Sequence, residues 1–430
     1  MPEDYLPALK PILEGAMKQS PQVLAKEIEV AQWEARVYAA DALRLPGAGG
    51  NISYASNQTA RSDNATTRTR DNGLFYNFSL SQPIFQWGAL KNQSNIARIA
   101  VSIAEKNYED MRRTTAVTLR QQYLMLIAEK ALVRRERLGL KLQQAEVDLA
   151  LDRFAHGTAA EAEVGGRKLQ LEDVSLATAR REAEFAGMRK TFARLAGLGD
   201  FSEEAVPDSI PKPTYSADTT SHLLAALLRD GAKSTFGAEV AQLRIEEAEL
   251  NYRIAKVRLL PKFRAEAGYS VQNNTSATAT SVNQVGIAQQ SIGLVSEWRI
   301  FDGFATKGAK LEALASKRLH ERELQIAIDT ALDTAQKLER DLALDAREME
   351  QADVRRTLAL AGVDRVKEEI ALGNVKGAAV DEATAGLYVA EYNSAVARVK
   401  FLSHWSDFVS LAANDLGVND VLSHYAREKR

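Results

Sequence analysis

The chain repeats itself once, and a repeat of this length constrains most of what it can become. Phe85 in QPIFQWG returns as Phe301 in WRIFDGF, 216 residues later. Gly157 in RFAHGTAAEAEV returns as Gly373 in EIALGNVKGAAV at the same offset, and Val164 returns as Val380. Upstream, Pro46 in LRLPGAGGNISYA matches Pro261 in RLLPKFRAEAGYS, 215 residues on. In a chain of 430 residues this spacing gives two structural copies, 1–198 and 220–417. The segment 199–219, with Pro207, Pro211 and Pro213, reads as a linker between them, and 418–430 as a tail.

Both copies run through the same order of patterns. A helix comes first, about 8–45 and 220–260, and ends near a proline, which disfavours helix for the residue before it. Two alternating segments follow, about 47–60 and 72–86, then 262–273 and 285–301. Next come very long helical stretches, 88–155 and 304–371, rich in strong helix formers. Glycine ends each one, and a return helix follows, 159–197 and 376–414. A helix over 88–155 would be roughly 100 Å long at 1.5 Å per residue. Its apolar positions, such as Leu119, Tyr123, Leu126 and Leu132, recur at helical spacing and require helical neighbours along their length. From the helices alone, a soluble coiled-coil rod is an equal reading.

The alternating segments argue against a simple rod. Leu74, Tyr76, Phe78 and Leu80 alternate with Phe75, Asn77, Ser79 and Ser81. Phe263, Ala265, Ala267, Tyr269 and Val271 alternate with polar and small residues. This is the period of a strand with one apolar and one polar face, at about the length that crosses a bilayer when tilted. The stretches between, NQTARSDNATTRTRDN and NNTSATATSVNQ, are polar and read as exposed loops. Phe85, Trp87, Trp298, Phe301 and Phe304 cluster where strand gives way to helix, the place of an aromatic girdle at a membrane interface. An ordinary half-buried sheet would satisfy the strand pattern taken by itself. Four strands cannot close a barrel, and open edges are not tolerated in lipid. Three chains would supply about twelve strands, an allowed even number.

At these residues the chain resembles the TolC family of outer-membrane efflux and type I secretion channels. The resemblance rests on SLSQPIFQWGALKNQ and VSEWRIFDGFATKGA, which look like that family's strand-to-helix junction. It rests also on the glycine turns followed by AEV…LQLEDVSLATARREAEF and AAVDEATAGLYVAEYNSAVARVKFL. The resemblance implies a homotrimer with a twelve-stranded transmembrane β-barrel in the cell outer membrane. It implies an α-helical barrel of coiled-coil hairpins in the periplasm, and an equatorial collar to which 199–219 and the C-terminal end contribute. It implies a passive exit duct for an inner-membrane RND or ABC transporter, reached through a periplasmic adaptor (a membrane fusion protein). The tips at Gly157 and Gly373 would form the periplasmic aperture. The family's acidic aperture positions fall at Ala379 and Glu382, so only Glu382 keeps an acid, with Asp381 beside it and Glu163 nearest in the first copy. The family's gating tyrosine and arginine fall at Ile370 and Val375, so this chain lacks that hydrogen-bonded closure. The alternative function is a periplasmic or soluble coiled-coil structural or adaptor protein, which would not need four amphipathic strands.

Composition narrows the classes further. Net charge is −2, which does not suit a nucleic-acid binder. There is no cysteine, hence no disulfide, thiol catalysis or thiolate metal site. The five histidines, His156, His222, His320, His404 and His424, show no metal-ligand spacing. RDGAKST at 229–235 faintly suggests a phosphate loop but lacks the Gly-Lys pair. No enzyme signature is present, so no catalytic residue, metal or cofactor is expected. No run of about 18 apolar residues suggests a transmembrane helix. MPEDYLPALKPILEGAM lacks a basic region followed by an apolar one and is not read as a signal peptide.

Overall fold

The structure, a computed structural model, describes residues 1–62, 66–277, 281–372 and 378–412. Along the first copy run α1 (Pro2–Tyr5), α2 (Leu9–Gln19), α3 (Pro21–Ala42), β1 (Gly47–Ser62), β2 (Thr66–Phe85), α4 (Ala89–Ala155) and α5 (Glu161–Ala196). Then follow α6 (Ala217–Asp230), α7 (Phe236–Lys256), β3 (Lys262–Ala277), β4 (Val282–Glu297), α8 (Ala305–Ala371) and α9 (Ala378–Leu411). Helices α4 and α8 are each 67 residues, and both ends of α8 lie 216 residues beyond those of α4.

The first helix of each copy is broken where the sequence pattern reads as continuous. Ser20, at ψ 127°, stops α2, and Pro21 opens α3. A proline fits the first helical position because the amide it lacks would be unpaired there, while it pushes the residue before it out of the helical region. In the second copy Gly231 (φ 62°) ends α6, with Ala232 N–H bonding back to Leu227 at 3.1 Å. This is the left-handed helix cap that glycine favours. Asp230 then accepts from the Ser234 amide at 2.8 Å. The segment RDGAKST is therefore a cap and turn between two helices.

The strands are longer than their apolar patterns. The ladder joins Asn57 to Asp71 and continues to Ser62 and Thr66, so much of the polar stretch expected as loop is strand. Alternation reports which face a residue serves, whereas backbone pairing can continue through polar residues. The four strands form one antiparallel meander in the order β1-β2-β3-β4.

The contacts divide the chain into two compact units, and each copy contributes to both. One unit holds residues 1–28, 106–239 and 325 onward. Its core is helical: Leu119, Tyr123, Leu124 and Ile127 of α4 pack with Phe185 and Phe192 of α5 and Leu402 and Phe408 of α9. The recurrent positions Leu119, Tyr123, Leu126 and Leu132 are all buried. Segment 199–216 has no regular structure but is tightly held. Phe201, Val206 and Ile210 are buried, and the Phe201 ring lies 4.9 Å from Phe192. Lys130 donates to the Val206 carbonyl at 2.6 Å. Arg398 donates to the Ile210 carbonyl and to Asp353 Oδ1, the latter at 2.5 Å. Asp353 also accepts from Ser394 at 2.8 Å. Burial works against ionising Asp353. The hydrogen bonds from Ser394 and Arg398 and the charges of Arg398 and Lys212 outweigh it, and they hold the carboxyl below its ordinary value.

The other unit holds residues 29–105 and 240–324: the sheet, most of α3, α7 and the first turns of α4 and α8. Arg98 pairs with Asp41 at 2.9 Å, and Lys317 with Glu249 at 2.8 Å.

Candidate functional site

The sheet register joins the alternating segments into two continuous faces. One carries the rows Tyr54–Leu74–Asn273–Gly286, Ile52–Tyr76–Val271–Ala288, Gly50–Phe78–Tyr269–Gln290 and Ala48–Leu80–Ala267–Ile292. The other carries rows such as Asn51–Asn77–Ser270–Gln289 and Gly49–Ser79–Gly268–Ser291. Among the described residues no helix covers the margins of the apolar face: Ile52 is 78% exposed and Ile292 93%, while Val271 at its centre is buried. A contiguous apolar face left open to water is unfavourable, which marks it as a contact surface for lipid or another apolar partner. The outer edges of β1 and β4, 16 residues each, have no strand partner among the described residues. Such edges are templates for pairing with another chain.

The strand-to-helix junctions share a backbone device. Trp87 (φ 54°) and Gly88 (φ 79°) make two consecutive left-handed residues before α4. Gly303 (φ 63°) and Phe304 (φ 68°) do the same before α8, at the same 216-residue offset, with glycine and aromatic exchanged. A left-handed aromatic residue carries a steric cost that glycine does not. Both junctions accept that cost to turn the chain sharply from sheet into helix. The aromatics named from sequence gather there. Phe85 and Trp87 stand edge to face with ring centroids 4.9 Å apart, and Phe301 and Phe304 at 5.6 Å. Trp87 Nε1 donates to the Pro261 carbonyl at 2.7 Å, tying the end of β2 to the start of β3. Trp298 is exposed just past β4. Asp302 accepts from both the amide (2.9 Å) and the hydroxyl (2.6 Å) of Thr306. The Thr306 hydroxyl bond holds its carboxyl below the ordinary value against partial burial, with Arg258 and Arg299 adding to the effect.

At the first tip, Gly157 (φ 73°) closes α4: its amide bonds to Phe154 at 2.9 Å, and the Thr158 amide to Arg153 at 2.8 Å. These are the two bonds of a Schellman cap. Glu163, in the first turn of α5, pairs with Arg153 across the tip at 3.1 Å. That carboxylate is thus partly neutralised, which sequence spacing did not reveal. At the second tip Asp381 lies in the first turn of α9 and Glu382 is exposed on the next position. Ile370 is half-buried near the end of α8. Gly373 and Val375 lie outside the described residues. Among the described residues no cluster of His, Asp or Glu could hold a metal ion, and no helix is long and apolar enough to cross a membrane.

The chain thus joins a four-stranded antiparallel sheet with an open apolar face to two 67-residue helices through matched turns. Comparison with solved structures shows that fold. VceC of Vibrio cholerae, an outer membrane protein, matches with a TM-score of 0.66 over 95% of this chain and 97% of its own, at 16% identity. The CmeC outer membrane channel of Campylobacter jejuni matches at 0.71 over 98% and 90%, at 14% identity. The open state of the MtrE outer membrane channel of Neisseria gonorrhoeae matches at 0.59 over 95% and 90%, at 13% identity. Residues 12–198 match the model of the outer membrane efflux protein family. No curated protein sequence matches the chain. The resemblance to TolC-family channels read from the junctions and tips is therefore shown by two separate comparisons, one of sequence in the first copy and one of fold along nearly the whole chain.

The sequence reading missed Asp302 and the lysines after it, Lys307 and Lys310, which line a cavity beside the second junction. Two lysines within the first turns of α8 were the available signal.

Proposed function

We propose that this chain is an outer-membrane efflux channel working as a homotrimer. Three four-stranded sheets close a twelve-stranded barrel, the apolar face turned to outer-membrane lipid, and the long helices form the wall of a periplasmic tunnel. The observation that carries this reading is the sheet itself. Its apolar face is exposed at Ile52, Phe78 and Ile292, and its two long edges are unpartnered among the described residues. Closure by symmetry satisfies both edges at once, because the β1 edge of one subunit can pair with the β4 edge of the next. Each strand is at least 16 residues, about 53 Å at roughly 3.3 Å per residue, enough to cross a bilayer when tilted and continue beyond it. The family match in residues 12–198 supports efflux as the broad function.

In this reading the two copies, 1–198 and 220–417, give each subunit two helical hairpins. Their tips face an inner-membrane RND or ABC transporter through a periplasmic adaptor. Glu382, with Asp381 beside it, rings the aperture three times over and favours cations. The channel is a passive duct with no catalytic step. The test is planar-bilayer conductance of the detergent-purified protein, with its mass measured in parallel. Discrete steps from a trimer are expected. A monomeric, water-soluble, non-conducting protein that is verified as folded would overturn the proposal.

A further inference from the structure

Beside the second junction lies a cavity of about 480 Å³, within the size range of small-molecule sites. Its walls are Tyr252 of α7 and Phe301, Phe304, Leu311 and Leu314 around the start of α8. Lys307 and Lys310 line the same space. Lys307 is exposed and Lys310 half-buried, and neither has a carboxylate partner among the described residues. The one acid in the lining, Asp302, is already engaged by Thr306 and lies in the fields of Arg258 and Arg299. Lys307 and Lys310 line the cavity while Arg258 and Arg299 act on Asp302, so positive charge exceeds the one carboxylate of the lining, beside an apolar wall. In sequence the cavity residues from Phe301 onward lie a few residues past the last row of the apolar sheet face, where Phe263 pairs with Ser296.

We infer that this cavity binds an anionic glycerophospholipid, with the phosphate on Lys307 and Lys310 and the upper acyl chain against Phe301, Phe304, Leu311 and Leu314. This rests on the membrane reading of the sheet given above. Charge complementarity selects an anionic ligand, and the apolar lining of Phe301, Phe304, Leu311 and Leu314 selects a lipid over a free phosphate. Because the junction marks the helical end of the sheet, the lipid belongs to the periplasmic leaflet. The first copy lacks an equivalent pair: Lys91 matches Lys307, but Ser94 stands where Lys310 does and bonds to Asp41. The site is therefore present once per subunit, and it breaks the internal symmetry of the repeat.

The test uses the full-length protein in non-ionic detergent. Native mass spectrometry compares binding of phosphatidylglycerol and phosphatidylcholine carrying the same acyl chains. The wild type is expected to prefer phosphatidylglycerol by about tenfold. The double variant Lys307→Gln/Lys310→Gln should lose that preference. Lys307→Arg/Lys310→Arg should keep it, and so should Lys91→Gln/Lys168→Gln, which removes the same charge elsewhere. Equal binding of the two lipids, or an unchanged preference in the glutamine variant, would overturn the site. So would full displacement by soluble glycerol phosphate, which assigns the site to a free phosphate. Protection of Lys307 and Lys310 from amine labelling in lipid-free oligomer would also overturn it, because a second copy of the chain would then fill the cavity. Flotation with neutral vesicles is measured alongside. Insertion without lipid preference rejects the cavity and keeps the channel. Lipid preference without insertion rejects the channel and keeps the cavity.

Discussion

Gly157, Gly197 and Gly231 sit at nearly the same left-handed φ, 73°, 72° and 62°, yet replacing them by alanine should have unequal effects. The left-handed conformation costs a residue with a Cβ about 1–2 kcal/mol. Alanine also has fewer unfolded conformations than glycine, which offsets about 0.4–1 kcal/mol. At Gly157 and Gly231 a new Cβ meets nothing within 4 Å, so the conformational term stands alone at about 1 kcal/mol. At Gly197, the cap of α5, the Cβ would lie 2.8 Å from Gln19 Cβ and 2.9 Å from the Gln19 carbonyl carbon and oxygen. Backbone atoms cannot swing aside, so the end of α2 must separate from the end of α5. Overpacking of that kind adds about 1–3 kcal/mol. Gly197→Ala should therefore cost about 2–4 kcal/mol against about 1 for each of the other two. Urea unfolding of the purified protein, followed by helical circular dichroism, gives the comparison. Amide exchange should show the loss at the ends of α2 and α5 for Gly197→Ala only. If all three variants cost the same to within about 0.5 kcal/mol, close approach at Gly197 is not what selects glycine there, and the packing argument fails.

Three other expectations concern the apolar face, the Asp353–Arg398 pair and Glu382. Ile292→Lys should impair assembly into lipid vesicles by about 2 kcal/mol, between the midplane and interfacial costs of a lipid-facing cation, while Gln289→Lys on the opposite face is tolerated. Equal effects would mean the faces are misassigned. Asp353→Ala leaves Arg398, a buried side chain, without its anion and should cost about 3–5 kcal/mol at neutral pH. Because the folded carboxyl is held below its ordinary value, its contribution is complete above the unfolded value near about 4. It is lost as pH falls through the depressed value, so the gap between variant and wild type in urea titrations should close only in acid. A gap that widens on acidification would reverse the assigned sign. Glu382→Gln should lower the preference for cations over anions in single-channel reversal potentials, and an unchanged ratio would remove Glu382 from the aperture ring.

Much of the fold was legible because its signals are local. Period-two alternation at 73–85 and 262–272 and helical periodicity through Leu119, Tyr123 and Leu126 each arise within a few residues. Glycine and proline punctuate them for equally local reasons, so the ends of α4 and α8 fell within a residue of the readings 88–155 and 304–371. The same signals failed where two helices follow one another at Ser20–Pro21 or across Gly231, because the periodicity continues through a break that a cap and a proline decide. They failed again in the polar halves of the strands, where pairing continues without apolar residues to mark it.

The acids beside the two helical turns show the other limit. Glu163 and Glu382 look alike in sequence, but only the fold brings Arg153 within 3.1 Å of Glu163. Segment 199–216 reads as a loose linker from its prolines, yet Lys130 and Arg398, far along the chain, fix its carbonyls. By itself the sequence determined the duplication, the kind of each element and the amphipathic faces, because these follow from nearest neighbours on one strand or helix. Only the tertiary structure decided the register that lines up Ile52, Tyr76 and Val271 in one row, the matched left-handed turns, and the cavity over Lys307 and Lys310. Those depend on which distant segments meet, and no local periodicity carries that information.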